Sequence, residues 1–353
     1  MYKNNTISPD EAFSYLAEEK SNAIDLRSEG EFEKANFKNC KNIAILNNEH
    51  RKLVGTKYKE IGSDEAEKLG QELVSGDYRE NLINKWTDFI KDNNNCFLFC
   101  WRGGLRSKIA QEWISSRDLN IPRVEGGYKA IRNKALDTIQ KKNNFIILSG
   151  MTGSGKTLLL KKSKQSVDLE KLANHRGSAF GKFANSTQPK QASFENNLAL
   201  SLYQQKDQIL LEDESPMIGR SRLPQKIYEE MSSSPMILLE VDRKIRASNI
   251  YEEYIKDASK EIPLEDLKFN ILSALNKIQK KLGNQETENT RKIINQAFLI
   301  NSEKSKEYHL EWIEILLSKY YDKLYLYSLN KKNRKTIFKG NFSECSDFIK
   351  KLY

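Results

Sequence analysis

One run of eight residues constrains this chain more than any other: Gly150-Met151-Thr152-Gly153-Ser154-Gly155-Lys156-Thr157. It matches the phosphate-cradling pattern G-x-x-x-x-G-K-[ST] at every position. A short apolar run over 145–148 reads as a buried strand leading in, and 158–160 continues as the first turns of a helix. Gly150, Gly153 and Gly155 let backbone N–H groups turn inward around an anion, with Ser154 between them, and the helix N-terminus adds partial positive charge. Lys156 then reaches an outer phosphate, and Thr157 offers a hydroxyl to Mg²⁺. Strand, loop and helix in that order commit this part of the chain to an α/β layer structure.

The residues that follow fit the same plan. A strand over 208–211 runs into Glu212-Asp213-Glu214-Ser215, and a further strand is expected over 236–241. A carboxylate at such a strand end holds Mg²⁺ in phosphate-loop proteins, so Asp213 is the expected ligand, with Glu212 or Glu214 as its substitutes. Arg176 is a good fork for a phosphate. Leu264, Leu267, Ile271, Leu275, Ile278 and Leu282 repeat at helical spacing, and Gly283 reads as the stop.

The first part of the chain alternates short strands (22–26, 42–46, 96–100 and 123–125) with helical patterns such as 64–74 and 81–91. That order predicts a parallel sheet flanked by helices. The polar stretch 140–144 reads as the linker. We therefore expect two α/β domains, 1–139 and 140–353, the second ending in a basic helical region.

Composition excludes several classes. Four Cys, without a C-x-x-C pair, and three His leave no pattern for a disulfide scaffold or a resident metal centre. No run of about 18 apolar residues points to a membrane span, so the expectation is a cytoplasmic protein without membrane contact. The net charge of +10 lies wholly beyond residue 140: residues 1–140 hold 22 basic and 22 acidic side chains, and 141–353 hold 36 and 26. That imbalance suits a polyanionic partner. Between 319 and 339, Lys319, Lys323, Lys331, Lys332, Arg334, Lys335 and Lys339 interleave with Tyr320, Tyr321, Tyr325 and Tyr327. This is the expected RNA-contacting stretch.

The chemistry of the first domain centres on Cys100-Trp101-Arg102-Gly103-Gly104-Leu105-Arg106-Ser107. A strand delivers the Cys, and a helix follows from about Ser107. A thiol in a glycine loop at a helix N-terminus, between Arg102 and Arg106, is favoured as thiolate, able to carry or attack a chalcogen atom. The C-x₅-R spacing fits Cys-dependent phosphatases equally well.

Residues 5–135 resemble a rhodanese domain, through Asp25-Leu26-Arg27, Glu31-Phe32, the Cys100 loop and Glu125-Gly126-Gly127-Tyr128. The whole chain resembles the tRNA 2-selenouridine synthase family. The match rests on Gly55-Thr56-x-Tyr58-Lys59 with Gly62 and Leu69-Gly70, the Cys100 loop, Val124 to Ala130, and the phosphate loop. It continues through Asp168-Leu169-Glu170 with His175-Arg176-Gly177-Ser178, Glu212 to Ser215 with Ile218-Gly219, and Tyr320-Tyr321-Asp322. It departs at Lys171, where a Gly is expected.

The resemblance implies a fold, a reaction and its reagents. The fold is a rhodanese-like parallel sheet joined to a P-loop NTPase-like α/β domain. The activity is alkylation of a wobble 2-thiouridine in tRNA by geranyl diphosphate, followed by replacement of S-geranyl with selenium from selenophosphate. Cys100 would carry or deliver selenium, cradled by Arg102, Gly103, Gly104 and Arg106. Gly150, Gly153, Ser154, Gly155, Lys156, Thr157 and Arg176 would bind the diphosphate, and Asp213 the Mg²⁺. A selenophosphate-supplying enzyme is the implied upstream partner. Two alternatives stay open: an ATP-dependent sulfurtransferase or kinase acting on RNA, and a nucleotide-gated RNA-binding module.

Overall fold

A computed structural model of the chain describes residues 5–93, 95–181, 187–300, 303–332 and 334–352. It divides into two compact units: Met1–Lys141 with Lys190–Gln204, and Lys142–Pro189 with Gln205–Tyr353.

In the first unit the order is β1 (Thr6–Ile7), α1 (Pro9–Ala17), β2 (Ala23–Asp25), α2 (Glu29–Lys34), β3 (Cys40–Asn42), α3 (Asn48–Ile61), α4 (Ser63–Leu73), α5 (Gly76–Asp92), β4 (Phe97–Phe99), α6 (Leu105–Ser115), β5 (Arg123–Val124) and α7 (Gly127–Gln140). The strands pair in parallel as β1-β5-β4-β2-β3. Local signals start the elements: Ser8 and Glu11 cap each other's backbone N–H groups ahead of Pro9, which opens α1. Ile24, Leu26, Trp86, Leu98, Ala110 and Ile114 form the core on one face of the sheet. The apolar run expected as a strand over 42–46 is corrected. The strand ends at Asn42, and Ile45 and Leu46 drop into this core as loop residues.

A helix from much later in the chain, α10 (Gln191–Tyr203), completes this unit, whereas the sequence leads one to expect all of 140–353 in the second domain. Its Phe194, Leu198 and Leu202 are buried, and it packs on α1 and α7. Its polar side chains bind the same unit. Ser193 Oγ and Asn197 Oδ1 accept from the backbone N–H groups of Asn36 and Lys38, and Glu195 pairs with Arg132.

The second unit holds β6 (Asn144–Gly150), α8 (Lys156–Leu160), β7 (Ser166–Val167), α9 (Leu169–Ala173), β8 (Gln208–Glu212), the small hairpin β9 (Met217–Ile218) and β10 (Ser221–Arg222), α11 (Gln225–Ser233) and β11 (Met236–Leu239). Helices α12 (Arg243–Tyr251), α13 (Ala258–Glu261), α14 (Leu264–Leu282), α15 (Asn284–Leu299), α16 (Glu303–Leu316) and α17 (Asp322–Lys331) follow, then β12 (Thr336–Gly340) and α18 (Phe342–Leu352). Two π-helical stretches interrupt the helical part, Glu252–Asp257 and Leu317–Tyr321. The parallel sheet runs β12-β11-β6-β8-β7, which places the strand feeding the phosphate loop at its centre. Helix α14 occupies the expected span and stops at Gly283, whose φ of +95° favours glycine. The end of the chain is not wholly helical as expected. Strand β12 pairs with β11, and α18 buries Cys345 and Ile349 against the sheet. No described helix is long and apolar enough to cross a membrane.

Candidate functional site

Each unit presents one of the loops singled out from sequence. In the first, Cys100 follows β4 directly, is 3% exposed, and is joined to the start of α6 through Trp101 to Gly104. The Gly126-Gly127 pair is what lets this loop close. Tyr128 N–H donates to the Cys100 carbonyl at 2.8 Å, and Lys129 N–H donates to that of Trp101 at 3.0 Å. A Cβ on Gly127 would stand 2.3 Å from both the Cys100 carbonyl oxygen and the Gly103 nitrogen, and Gly103 and Gly127 both have positive φ. Two backbones meet there with no room for a side chain.

The charges around the loop are distributed unevenly. Arg102 is exposed. Arg106 donates from Nη1 to Glu31 Oε2 at 3.1 Å, and Arg51 binds the same oxygen at 3.0 Å. Burial raises the Glu31 carboxyl, but Arg106, Ser28 and Arg51 more than offset it, so its pKa is lowered overall. Beneath the loop lies a fully buried pair, Asp25 and Arg27, joined at 2.6 Å. The Arg27 guanidinium sits 3.6 Å from the centre of the Tyr128 ring, which stacks on Trp101. Burial pushes the Asp25 carboxyl up despite this partner. Asp25-Leu26-Arg27 was noted from sequence, but its place under the Cys100 loop depends on β2 pairing with β4, which sequence spacing does not reveal.

In the second unit β6 ends at Gly150, and α8 starts at Lys156. Gly153 and Gly155 have φ of +79° and +86°. A Cβ on Gly153 would come within 2.7 Å of the Arg246 carbonyl oxygen, so both turn and packing require glycine there. Ser154 is buried with no partner for its Oγ among the described residues, Thr157 lies in the first turn of α8, and Lys156 Nζ folds back onto the Gly150 carbonyl at 2.8 Å. Helix α12 clamps the loop from outside. Arg246 donates to the Thr152 carbonyl at 3.2 Å and Asn249 to that of Gly153 at 2.9 Å. Arg246 is itself held by Asp322 through two bonds of 2.8 and 2.9 Å. This clamp was not read from sequence.

Asp213 does not take the position expected of a metal ligand. Its Oδ2 accepts from Ser149, and its Oδ1 faces Lys332 and Arg334, each at 2.7 Å. These cations hold its carboxyl below the usual range despite burial. The same pairing removes Lys332, Arg334 and Tyr325 from the expected RNA-contacting set, because Arg334 is buried, Lys332 is nearly so, and Tyr325 bonds Ser149, while Lys319, Lys323, Lys331, Lys335 and Lys339 are exposed. Of the four tyrosines named from sequence, Tyr327 is the exposed one.

The neighbouring acids gather instead. Carboxylate oxygens of Glu170, Glu212 and Glu214 lie within 4.8 Å of one another, and the Glu170 N–H donates to Glu212 at 3.0 Å. Burial, then mutual repulsion, pushes Glu170 up to about 10 and Glu212 up to about 8; Glu214 also rises, mainly by burial. Lys156 acts on all three in the opposite sense. Three hard oxygen donors with a nearby ammonium suit a divalent cation and phosphate together.

A cavity of about 280 Å³ adjoins the phosphate loop, with Thr152 and Arg176 in its wall. Arg176 Nε donates to Glu253 at 2.6 Å, and its guanidinium lies 4.7 Å from the Tyr254 ring centre. His175, next in the chain, is lowered from its usual value by burial and by Lys277 and Arg176.

Fold and sites together define a two-unit α/β protein with a lysine-bearing phosphate loop in one unit and a thiol-bearing loop in the other. The family model described as "tRNA 2-selenouridine synthase AAA domain" matches residues 143–353. The tRNA 2-selenouridine synthase of Shewanella halifaxensis (strain HAW-EB4) is 42% identical over 334 residues, covering 90% of this chain and 91% of that one. That of Sulfurovum sp. (strain NBC37-1) is 42% identical over 345 residues, covering 93% and 94%. The chain belongs to the tRNA 2-selenouridine synthase family.

Proposed function

We propose that this chain is a tRNA-modifying transferase of the cytoplasm that converts a wobble 2-thiouridine to 2-selenouridine in two steps. The observation that carries this reading is the presence, in one chain, of two anion loops of different chemistry: a lysine-bearing one at Gly150 to Thr157 and a thiol-bearing one at Cys100 to Arg106. Residues 1–139, joined by the helix at 190–204, act as a rhodanese-like domain. The remainder acts as the P-loop domain.

In the first step the phosphate loop, Lys156 and Arg176 hold geranyl diphosphate. The C1–O bond of the donor breaks, and pyrophosphate leaves with the electron pair, stabilised by the loop N–H groups and Lys156. The new bond joins C1 to the thiouridine sulfur, and the ring N3 proton passes to water. Glu170, Glu212 and Glu214 are the residues that would hold Mg²⁺, which would neutralise diphosphate charge.

The second step exchanges the alkylated sulfur. Selenium in selenophosphate is already fully reduced, so the exchange balances without a redox partner if Cys100 acts on carbon. Its thiolate displaces geranylthiol from C2, selenium of selenophosphate displaces Cys100, and water removes the phosphoryl group as phosphate. Arg102, Gly103, Gly104 and Arg106 would receive the selenophosphate. The test is nucleoside mass spectrometry of 2-thiouridine-containing tRNA incubated with the purified chain. Geranyl diphosphate alone should give S-geranyl-2-thiouridine, and added selenophosphate should turn it into 2-selenouridine. Appearance of neither product would overturn the reading.

A further inference from the structure

We infer that the cavity beside the phosphate loop is the site of the donor's isoprenoid tail, and that α14 and α16 set the chain length it accepts. The inference rests on the proposed use of an allylic diphosphate and names where its tail goes. Thr152 belongs to both the phosphate loop and the cavity wall, so a diphosphate seated on the loop has the cavity as its neighbour. The wall is mainly apolar, with Phe180, Ile271, Ala274, Trp312, Leu316 and Leu317 contributing.

Two features separate this cavity from an ordinary packing gap. Both π-helical stretches among the described residues face it, one through Glu253, Tyr254 and Asp257 and the other through Leu317 and Tyr321. Such wide turns are rare and collect at functional sites, because each trades regular helical bonding for a shifted wall. The second feature is aromatic. Phe180 stacks on Trp312 at 6.2 Å between ring centres and meets Tyr321 edge-on at 6.5 Å. Aromatic faces attract positive charge, and an allylic carbon develops such charge as pyrophosphate departs. A saturated tail would gain nothing from these rings beyond burial; an allylic one gains both.

Ala274, on the buried face of α14, is the position at which the cavity can be shortened. The experiment is equilibrium binding of geranyl diphosphate, dimethylallyl diphosphate, a fifteen-carbon allylic diphosphate, inorganic pyrophosphate and ATP to the full chain and to Ala274→Trp, Ile271→Ala and Lys156→Ala. Wild type should bind geranyl diphosphate at least about tenfold tighter than pyrophosphate, since burying apolar area adds affinity that the bare anion lacks. Ala274→Trp should lose roughly that factor for geranyl diphosphate, and less for the five-carbon donor. Its pyrophosphate affinity should stay at the wild-type value, which also certifies that it folds. Ile271→Ala should admit a fifteen-carbon donor better than wild type does. Unchanged geranyl diphosphate binding by Ala274→Trp overturns the inference. So does ATP binding more tightly than geranyl diphosphate and weakening in that variant, which would make the cavity a base site. Failure of the underlying reading looks different. Pyrophosphate itself would then fail to bind, or would bind regardless of Lys156, and both ideas would fall.

Discussion

Replacing Arg246 by Met should destabilise the second unit more than any surface change, and the structure sets the scale. Arg246 is 3% exposed, binds both oxygens of Asp322 at 2.8 and 2.9 Å, and also donates to the carbonyls of Thr152 and Val241. Its removal leaves Asp322 buried, with Arg243 at 3.6 Å as its remaining ion-pair partner among the described residues, and half of that side chain is in water. Breaking a buried pair from one side costs about 3–5 kcal/mol, because the surviving charge keeps its desolvation penalty. At about 2–4 °C per kcal/mol for a unit of this size, the melting temperature should fall by roughly 6–20 °C. The double variant Arg246→Met with Asp322→Leu should regain most of that loss, since no charge is left stranded. Thermal unfolding followed by circular dichroism reads both values. A single variant within about 1 kcal/mol of wild type, or a double variant no better than the single, would refute the reasoning.

Other outcomes follow from the same geometry. Glu170 and Glu212 keep protons in the folded state that the unfolded chain releases, so their contribution to stability is full below about pH 4.5 and is lost as pH rises through about 8 to 10. Glu212→Gln should therefore be more stable than wild type at pH 8, with the difference vanishing near pH 4, in urea titrations at both pH values; added Mg²⁺ should stabilise wild type at pH 8 and not this variant. Gly127→Ala should abolish selenium incorporation while leaving S-geranylation, because its Cβ would strike the Cys100 carbonyl 2.3 Å away; nucleoside analysis distinguishes the two products. Arg334→Gln should lower stability by less than Arg246→Met, because Lys332 still pairs with Asp213 at 2.7 Å, and should leave the salt dependence of tRNA binding unchanged, since Arg334 is buried; a flattened salt slope would place it on the RNA instead.

What could be read from sequence was local. The phosphate loop, the Cys100 loop and α14 each carry their signal within a few turns of chain: glycines at fixed offsets, a strand before and a helix after, a repeat of aliphatic residues. What could not be read came from long-range pairing. Ile43 to Leu46 look like a strand, yet β2 and the core beneath it draw Ile45 and Leu46 inward as loop. Helix α10 carries polar residues whose partners, Asn36, Lys38 and Arg132, lie more than 50 positions earlier. The carboxylate cluster joins α9 to the end of β8, so Asp213 looked like the metal ligand only because the alternation of side chains at that strand end was unknown. Lys332 and Arg334 read as RNA contacts, whereas the chain just before β12 sets them against Asp213.

The central claim is that the two loops divide the reaction between them, and one comparison tests it. Lys156→Ala and Cys100→Ser are each incubated with 2-thiouridine-containing tRNA, geranyl diphosphate and selenophosphate, and the nucleosides are analysed by mass spectrometry. Lys156→Ala should yield neither product from 2-thiouridine, but should make 2-selenouridine from tRNA that is already S-geranylated. Cys100→Ser should accumulate the S-geranyl nucleoside and make no 2-selenouridine from either substrate. If Cys100→Ser loses geranylation, or forms 2-selenouridine normally, the division of labour is contradicted.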